Sequence, residues 1–245
     1  MMKAMQMKTR SSLVFLFFTL VPGLFAQQLT LNQILDSYYK AGNFDKLQKV
    51  NSIIMTGNIV QQDLMPVKIV RVRPDKYMMQ FDVADLTAYQ VYDGQTAWMT
   101  TPWTGKAAPQ VMPPERATDM KNRADIDGIL FNWKEKGHSL ELAGKDTVDG
   151  RIAYKIKVIR KDGGIEYNII DTATFMLQKR ISFRKAGGKE VTIENFYRDY
   201  RKVDGIPFAF IVETNNAGRI NEIQLETVEL NRTVDLKSFT MPEKK

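Results

Sequence analysis

Hydrophobic and polar residues alternate with a period of two over most of this chain. Residues 66–83 show the pattern. Tyr77, Met79, Phe81 and Val83 fall on one side of an extended segment, and Gln80 and Asp82 fall on the other. A period of two describes a strand with one buried and one wet face. Here the buried-type positions are large, soft and aromatic, which suits a lipid-binding surface as well as a plain core. The same alternation predicts strands at Ile53–Gln61, Val67–Arg73, Lys76–Val83, Thr87–Tyr92 and Thr96–Thr100. A second series follows at Ser139–Val148, Ala153–Arg160, Ile165–Asp171, Met176–Arg184, Glu190–Tyr200, Phe208–Thr214 and Arg219–Leu230. Pairs such as Asp93-Gly94, Asp149-Gly150, Asp204-Gly205 and Ala217-Gly218 supply hairpin turns between them. Successive hairpins specify an antiparallel meander, and no strand–helix–strand rhythm points to a parallel sheet.

The spacing changes to that of a helix in only a few places. Leu31, Ile34, Leu35 and Tyr38 share one helical face, Thr30 with Gln33 forms a capping-box pattern, and Gly42 is a stop. A short second helix is expected over Phe44–Val50. Between the two strand series, residues 102–137 open with a Pro-rich loop (Pro102, Pro109, Pro113, Pro114) and become helical over Glu115–Arg123. Asp125–Lys136 continues with Ile126, Ile129, Leu130 and Trp133 at helical spacing. A long insertion of this kind is either a lid or binding element, or a plain helix packed on the sheet. The expected fold is mainly β (α+β), in one domain over residues 27–245.

Residues 1–26 read as an export signal. Lys3, Lys8 and Arg10 precede an apolar run from Leu13 to Val21, interrupted only by Thr19, and Pro22, Gly23 and Ala26 close it. The run is shorter than the ~20 apolar residues that span a bilayer. Cysteine is absent from all 245 residues, so neither disulfides nor a lipidated cysteine at the cleavage site is available. A monomeric, soluble periplasmic protein stabilised by its core is the expectation. The signal's three cations contribute to the formal net charge of +7, and the remaining Lys and Arg are scattered through strands. Such mild basicity suits anionic membrane surfaces, acidic partners or ordinary solvated faces. Nucleic acid is not an expected partner, because Tyr77, Phe81, Trp98, Tyr154, Phe183 and Phe196 lie within core-like alternation and the chain is exported.

Catalytic chemistry finds few candidates. His138 is the single histidine, without cysteines for a metal site or a serine motif beside it. Most carboxylates sit in Asp-Gly turns or at outward strand positions such as Glu222, Glu226 and Glu229. Carboxylates paired in space would be invisible at this level. The reading is therefore not an enzyme, with no cofactor and no metal.

Three segments carry a family resemblance. Val70-Arg71-Val72-Arg73-Pro74 leads into Asp75-Lys76-Tyr77, Asp93-Gly94-Gln95-Thr96-Ala97-Trp98 leads to Pro102-Trp103, and Lys237-Ser238-Phe239-Thr240-Met241-Pro242 closes the chain. In this order and separation they resemble the bacterial LolA-like outer-membrane lipoprotein carrier family, across most of residues 29–242. The segment Tyr197–Pro207 looks more like the broader superfamily of envelope proteins. The resemblance implies a strongly curved, open antiparallel half-barrel with helices covering its concave face. It implies a periplasmic carrier that shields lipoprotein acyl chains or another envelope lipid, receiving cargo from an inner-membrane releasing transporter and passing it to an outer-membrane acceptor. An envelope sensor of the same fold, controlling a membrane-anchored partner, is the alternative. It also implies that Arg73 latches the helical lid by hydrogen bonds to backbone carbonyls. Strand parity leaves an outward cation open, since Arg73 shares its side with Ile69 and Arg71 while Val70 and Val72 form the more apolar set. For the lipid cavity the candidates are Tyr77, Met79, Phe81 and Trp98 from the sheet, with Met120, Ile129, Leu130 and Phe131 from the lid. Leu31, Leu35 and Tyr38 join them from the first helix.

Overall fold

In a computed structural model, which describes residues 28–61, 63–186 and 188–242, the chain forms one antiparallel sheet of thirteen strands. The export-signal segment, residues 1–26, lies outside the described residues. Helix α1 (Leu31–Ala41) starts at the predicted capping box. The Thr30 N–H donates to Gln33 Oε1 at 2.9 Å, and Thr30 Oγ1 accepts from the Gln33 N–H. Gly42 ends it, and a Cβ there would lie 2.5 Å from the Phe44 ring, so the chain can turn into α2 (Phe44–Leu47) only without a side chain.

The first strand series is β1 (Ser52–Val60), β2 (Leu64–Val72), β3 (Lys76–Val83), β4 (Leu86–Tyr92), β5 (Ala97–Thr101) and β6 (Lys106–Val111). Helix α3 (Pro114–Ala124) and a run of turns follow. The second series is β7 (Ser139–Val148), β8 (Arg151–Ile159), β9 (Ile165–Asp171), β10 (Leu177–Ala186), β11 (Lys189–Val203), β12 (Ile206–Asn216) and β13 (Arg219–Leu230). Each strand pairs with its sequence neighbour, except that β1 joins β13 and so fuses the two series; β6 and β7 are the free edges. The sheet does not close into a barrel. No described helix is long and apolar enough to cross a membrane.

Two expectations in the insertion are corrected. The Pro-rich loop contains β6, an edge strand, where the missing N–H of Pro109 interrupts no central ladder. Asp125–Lys136 is not a helix but a series of turns. Gly128, Asn132 and Gly137 there adopt positive φ of 73°, 49° and 77°, which a right-handed helix cannot contain. Lys136 Nζ staples the series by donating to Asp125 Oδ2 (2.6 Å) and the Gly128 carbonyl (2.8 Å).

The sheet is strongly bent. On β1 the register against β13 slips between Thr56 and Gly57, and a Cβ at Gly57 would sit 2.1 Å from the Gln224 carbonyl oxygen. Such bulges increase local twist and bend the strand. Across a flat sheet β2 and β10 would be five strand spacings apart, roughly 24 Å. Instead α3, which packs on β3, β4 and β5, reaches across to β10, where Arg184 lies 3.9 Å from Asp119, and the charge of Arg180 on β10 is felt at Arg71 of β2. The two halves of the concave face therefore confront each other, with α3 between them.

Candidate functional site on the concave face

The concave face has three zones. The first is an apolar bay on β1–β4, where Tyr77 (1% exposed) and Met79 pack with Met55, Ile59, Ile69 and Tyr92, covered by Met120 and Ala124 of α3. Phe81 and Phe131 are partly buried against the same cluster. Over its end, the Phe44 ring stacks on Phe131 at 5.1 Å between centroids and Tyr39 meets Phe131 edge-on at 5.3 Å. A second apolar cluster lies under α1. Leu35 and Leu130 are buried there with Tyr154, Ile156, Val158 and Ile170, and Leu31 and Ile129 pack at its margin. Tyr38 touches both clusters, and burial pushes its phenol pKa upward. The Tyr39 hydroxyl donates to the Leu130 carbonyl at 2.5 Å, tying α1 to the turn series.

The predicted lining residues thus divide. Tyr77, Met79, Phe81, Met120 and Phe131 come together, while Leu31, Leu35, Ile129 and Leu130 belong to the α1 cluster. Trp98 belongs to neither, and its expected place in the cavity is corrected. It lies on the convex face with Val70, Met78 and Val91, covered by the fully buried Phe239, and its indole N–H donates to the Phe239 carbonyl at 2.8 Å. The reason is parity. Val91 pairs with Trp98 and Met78, whereas the bay belongs to the opposite set. A hollow of about 730 Å³ also opens on this convex side, between Val70, Met78, Tyr89 and Trp98 and the tail residues Val234 and Lys237.

The second zone is the rim at Arg73, just past the end of β2. Its Nε donates to the Val50 carbonyl (2.7 Å) and Nη2 to the Leu47 carbonyl (3.1 Å). Nη1 and Nη2 also grip both oxygens of Asp127 at 2.6 Å each. One planar fork therefore binds the end of α2 and the turn series together. The hydrogen bonds that Arg73 donates to Asp127 raise its pKa. The side Arg73 shares with Ile69 and Arg71 is the concave one. Parity could not reveal this because Val70, on the other side, is equally buried beneath the tail.

The third zone has no counterpart in the predicted greasy interior. Concave positions on β9–β11 carry Glu166, Asn168, Arg180, Ser182, Arg184 and Asn195. Ile181 and Phe196, the apolar alternation partners, pack outward with Val148, Ala153 and Ile169. Alternation identified the two sides of these strands correctly but not which was concave. Arg71 pairs with Tyr77 on the facing strands and adds to this zone, as do Arg116 and Arg123 of α3. The Nε atoms of Arg71, Arg180 and Arg184 are shut off from solvent without a hydrogen-bond acceptor among the described residues. Burial, reinforced by the charges of Arg123 and Arg180, lowers the Arg71 pKa.

Elsewhere, His138 Nδ1 accepts from the Lys161 N–H at 3.1 Å, and burial lowers its pKa. Among the described residues no three His, Asp or Glu side chains gather as metal ligands.

No protein-family model and no curated protein matches the sequence. Solved structures do. A LolA superfamily protein from Nitrosomonas europaea superimposes with a TM-score of 0.57 at 13% identity, covering 87% of this chain and 98% of that one. A DUF1329 family protein from Desulfovibrio piger gives 0.58 at 14% identity, covering 84% and 97%. The likeness is one of fold: an open, curved antiparallel sheet with a few helices.

Proposed function

We propose that this protein, with its LolA-superfamily fold, is a periplasmic carrier that shields the acyl chains of a lipoprotein or another envelope lipid in its concave face. In this reading it takes cargo from an inner-membrane releasing transporter and delivers it toward an outer-membrane acceptor, with no catalytic step and no cofactor.

The observation that carries the reading is how the bay is covered. Helix α2 and the turns around Asp127 belong to no strand ladder; Arg73 joins the two at the rim, while Asn43 and Lys46 reach the Gly205 and Asp204 carbonyls and Tyr39 holds the Leu130 carbonyl. They can lift while every strand pairing is kept, so Arg73 acts as the latch of a lid. Beneath lie methionines, Met55, Met79 and Met120, whose flexible thioethers adapt to chains of different shape. Burial of acyl chain contributes ~0.8 kcal/mol per CH₂, so a dozen methylenes supply on the order of 10 kcal/mol. That is ample to hold a lipid away from water.

Mass spectrometry of lipid extracted from protein isolated under native conditions tests this, together with fractionation of a deletion strain. Co-purified acylated cargo and lipoproteins stranded in the inner membrane are expected. Protein free of lipid, with an unchanged lipoprotein distribution in the deletion strain, overturns the proposal.

A further inference from the structure

Lipid shielding alone gives no reason for cations on the concave face. Arg71, Arg180 and Arg184 come from two facing parts of the sheet, and Arg116 and Arg123 come from α3. They lie close enough to disturb one another. Arg71 is pushed by Arg123 and Arg180, and Arg116 by Arg184 and Arg123. Among the described residues Tyr197, together with the carboxylates Glu166 and Asp119, bears on Arg180 and raises its pKa. Asp119 approaches Arg184 at 3.9 Å, beyond hydrogen-bond reach, and Glu166 is already held by Arg160 at 3.7 Å and by Asn168 Nδ2 at 2.9 Å. Three guanidinium Nε–H groups on these half-buried side chains are enclosed without an acceptor among the described residues.

Leaving charged donors enclosed without an acceptor is costly, and a bound anion removes that cost. Guanidinium forks match the oxygens of a phosphate in a bidentate way, and several forks converging from different elements set a strong preference for a multiply charged, oxygen-rich anion. Arg71 sits beside Tyr77 and two pairs along the ladder from Met79, on the same side, so the cationic zone is continuous with the apolar bay. We infer that the concave face is a two-part site for an anionic amphiphile, with acyl chain in the bay and a phosphate group on Arg71, Arg180 and Arg184. This deepens the carrier proposal and rests on it, since the bay must accept acyl chains for the headgroup to be placed.

Binding of short-chain phosphatidic acid, the matching diacylglycerol and inorganic phosphate to the purified protein separates the possibilities, measured by titration calorimetry for the wild type and for the Arg71→Gln/Arg180→Gln double variant. The wild type is expected to bind phosphatidic acid at least tenfold more tightly than diacylglycerol, and inorganic phosphate more weakly than either. The double variant should lose tenfold or more in phosphatidic acid affinity, keep diacylglycerol within twofold, and melt no lower than the wild type without ligand. Equal affinity of the wild type for the two lipids overturns the headgroup site while leaving the carrier proposal standing, and this comparison needs no variant. Binding of neither lipid overturns both. Inorganic phosphate bound as tightly as phosphatidic acid assigns the arginines to the free anion and rejects the amphiphile.

Discussion

Arg71 and Arg73 stand two residues apart at the end of one strand, on the same side of the sheet. At the rim, Arg73 spends its donors on two carbonyls and both oxygens of Asp127, and its pKa is raised. In the interior, Arg71 has a buried Nε without an acceptor, neighbours of its own sign, and a lowered pKa. The rim closes on itself using groups the chain supplies. The same side chain type thus serves as a fastener where carbonyls and a carboxylate converge, and stands among cations where the sheet curls one half toward the other.

The comparison breaks most completely if the bend is removed. Gly57→Ala forces a Cβ against the Gln224 carbonyl at the β1–β13 slip and is expected to cost about 3 kcal/mol. The melting temperature should fall by roughly 6–12 °C. An unchanged melting temperature means that the bulge relaxes freely and does not hold the two halves. Next in size, Arg73→Leu frees Asp127 and the carbonyls of Leu47 and Val50, at a cost of about 2 kcal/mol. Hydrogen exchange should accelerate over residues 44–50 and 125–131 while the strands stay protected and the fold remains intact. Uniform acceleration over the whole sheet contradicts a local latch, and unimpaired cargo transfer contradicts a functional one.

Arg71→Leu has the opposite sign. Replacing a half-buried guanidinium, whose enclosed Nε has no acceptor among the described residues, with an apolar group should stabilise the ligand-free protein by about 1 kcal/mol, read as a higher urea midpoint. A lower midpoint means Arg71 already has a structural partner. The smallest effect concerns Tyr39, whose hydroxyl holds the turn series through Leu130. Burial, reinforced by Asp36, raises its pKa from 10.0 to about 12. The folded state therefore holds this proton more tightly than the unfolded state. The resulting stability is complete below pH 10 and is lost as pH rises toward about 12. Tyr39→Phe should remove that part of the alkaline loss, a difference of about 1 kcal/mol or less in stability against pH. Identical alkaline profiles for variant and wild type show that the hydroxyl does not hold the series.

Much of the architecture was legible because it is local. Hydrophobic alternation and Asp-Gly turns located twelve of the thirteen strands in their order, and Thr30 with Gln33 placed the start of α1. The edge strand β6 escaped because its prolines read as loop. The Asp125–Lys136 series escaped because Ile126, Ile129, Leu130 and Trp133 kept helical spacing while Gly128 and Asn132 turned left-handed. Trp98 was legible as buried, but not as buried beneath Phe239.

By itself the sequence determined which residues share a side over each unbroken run of a strand, since that depends on the two-residue repeat of the backbone, which the slips at Gly57 and Leu177 interrupt. Which side becomes the inside depends on the direction of bending and on what covers the outer surface. The slip at Gly57 and the C-terminal tail decide both, and each involves residues far apart in the chain. For that reason Arg73 could be singled out from its motif, while Arg71, Arg180 and Arg184 became a group only when the tertiary structure folded one half of the sheet toward the other.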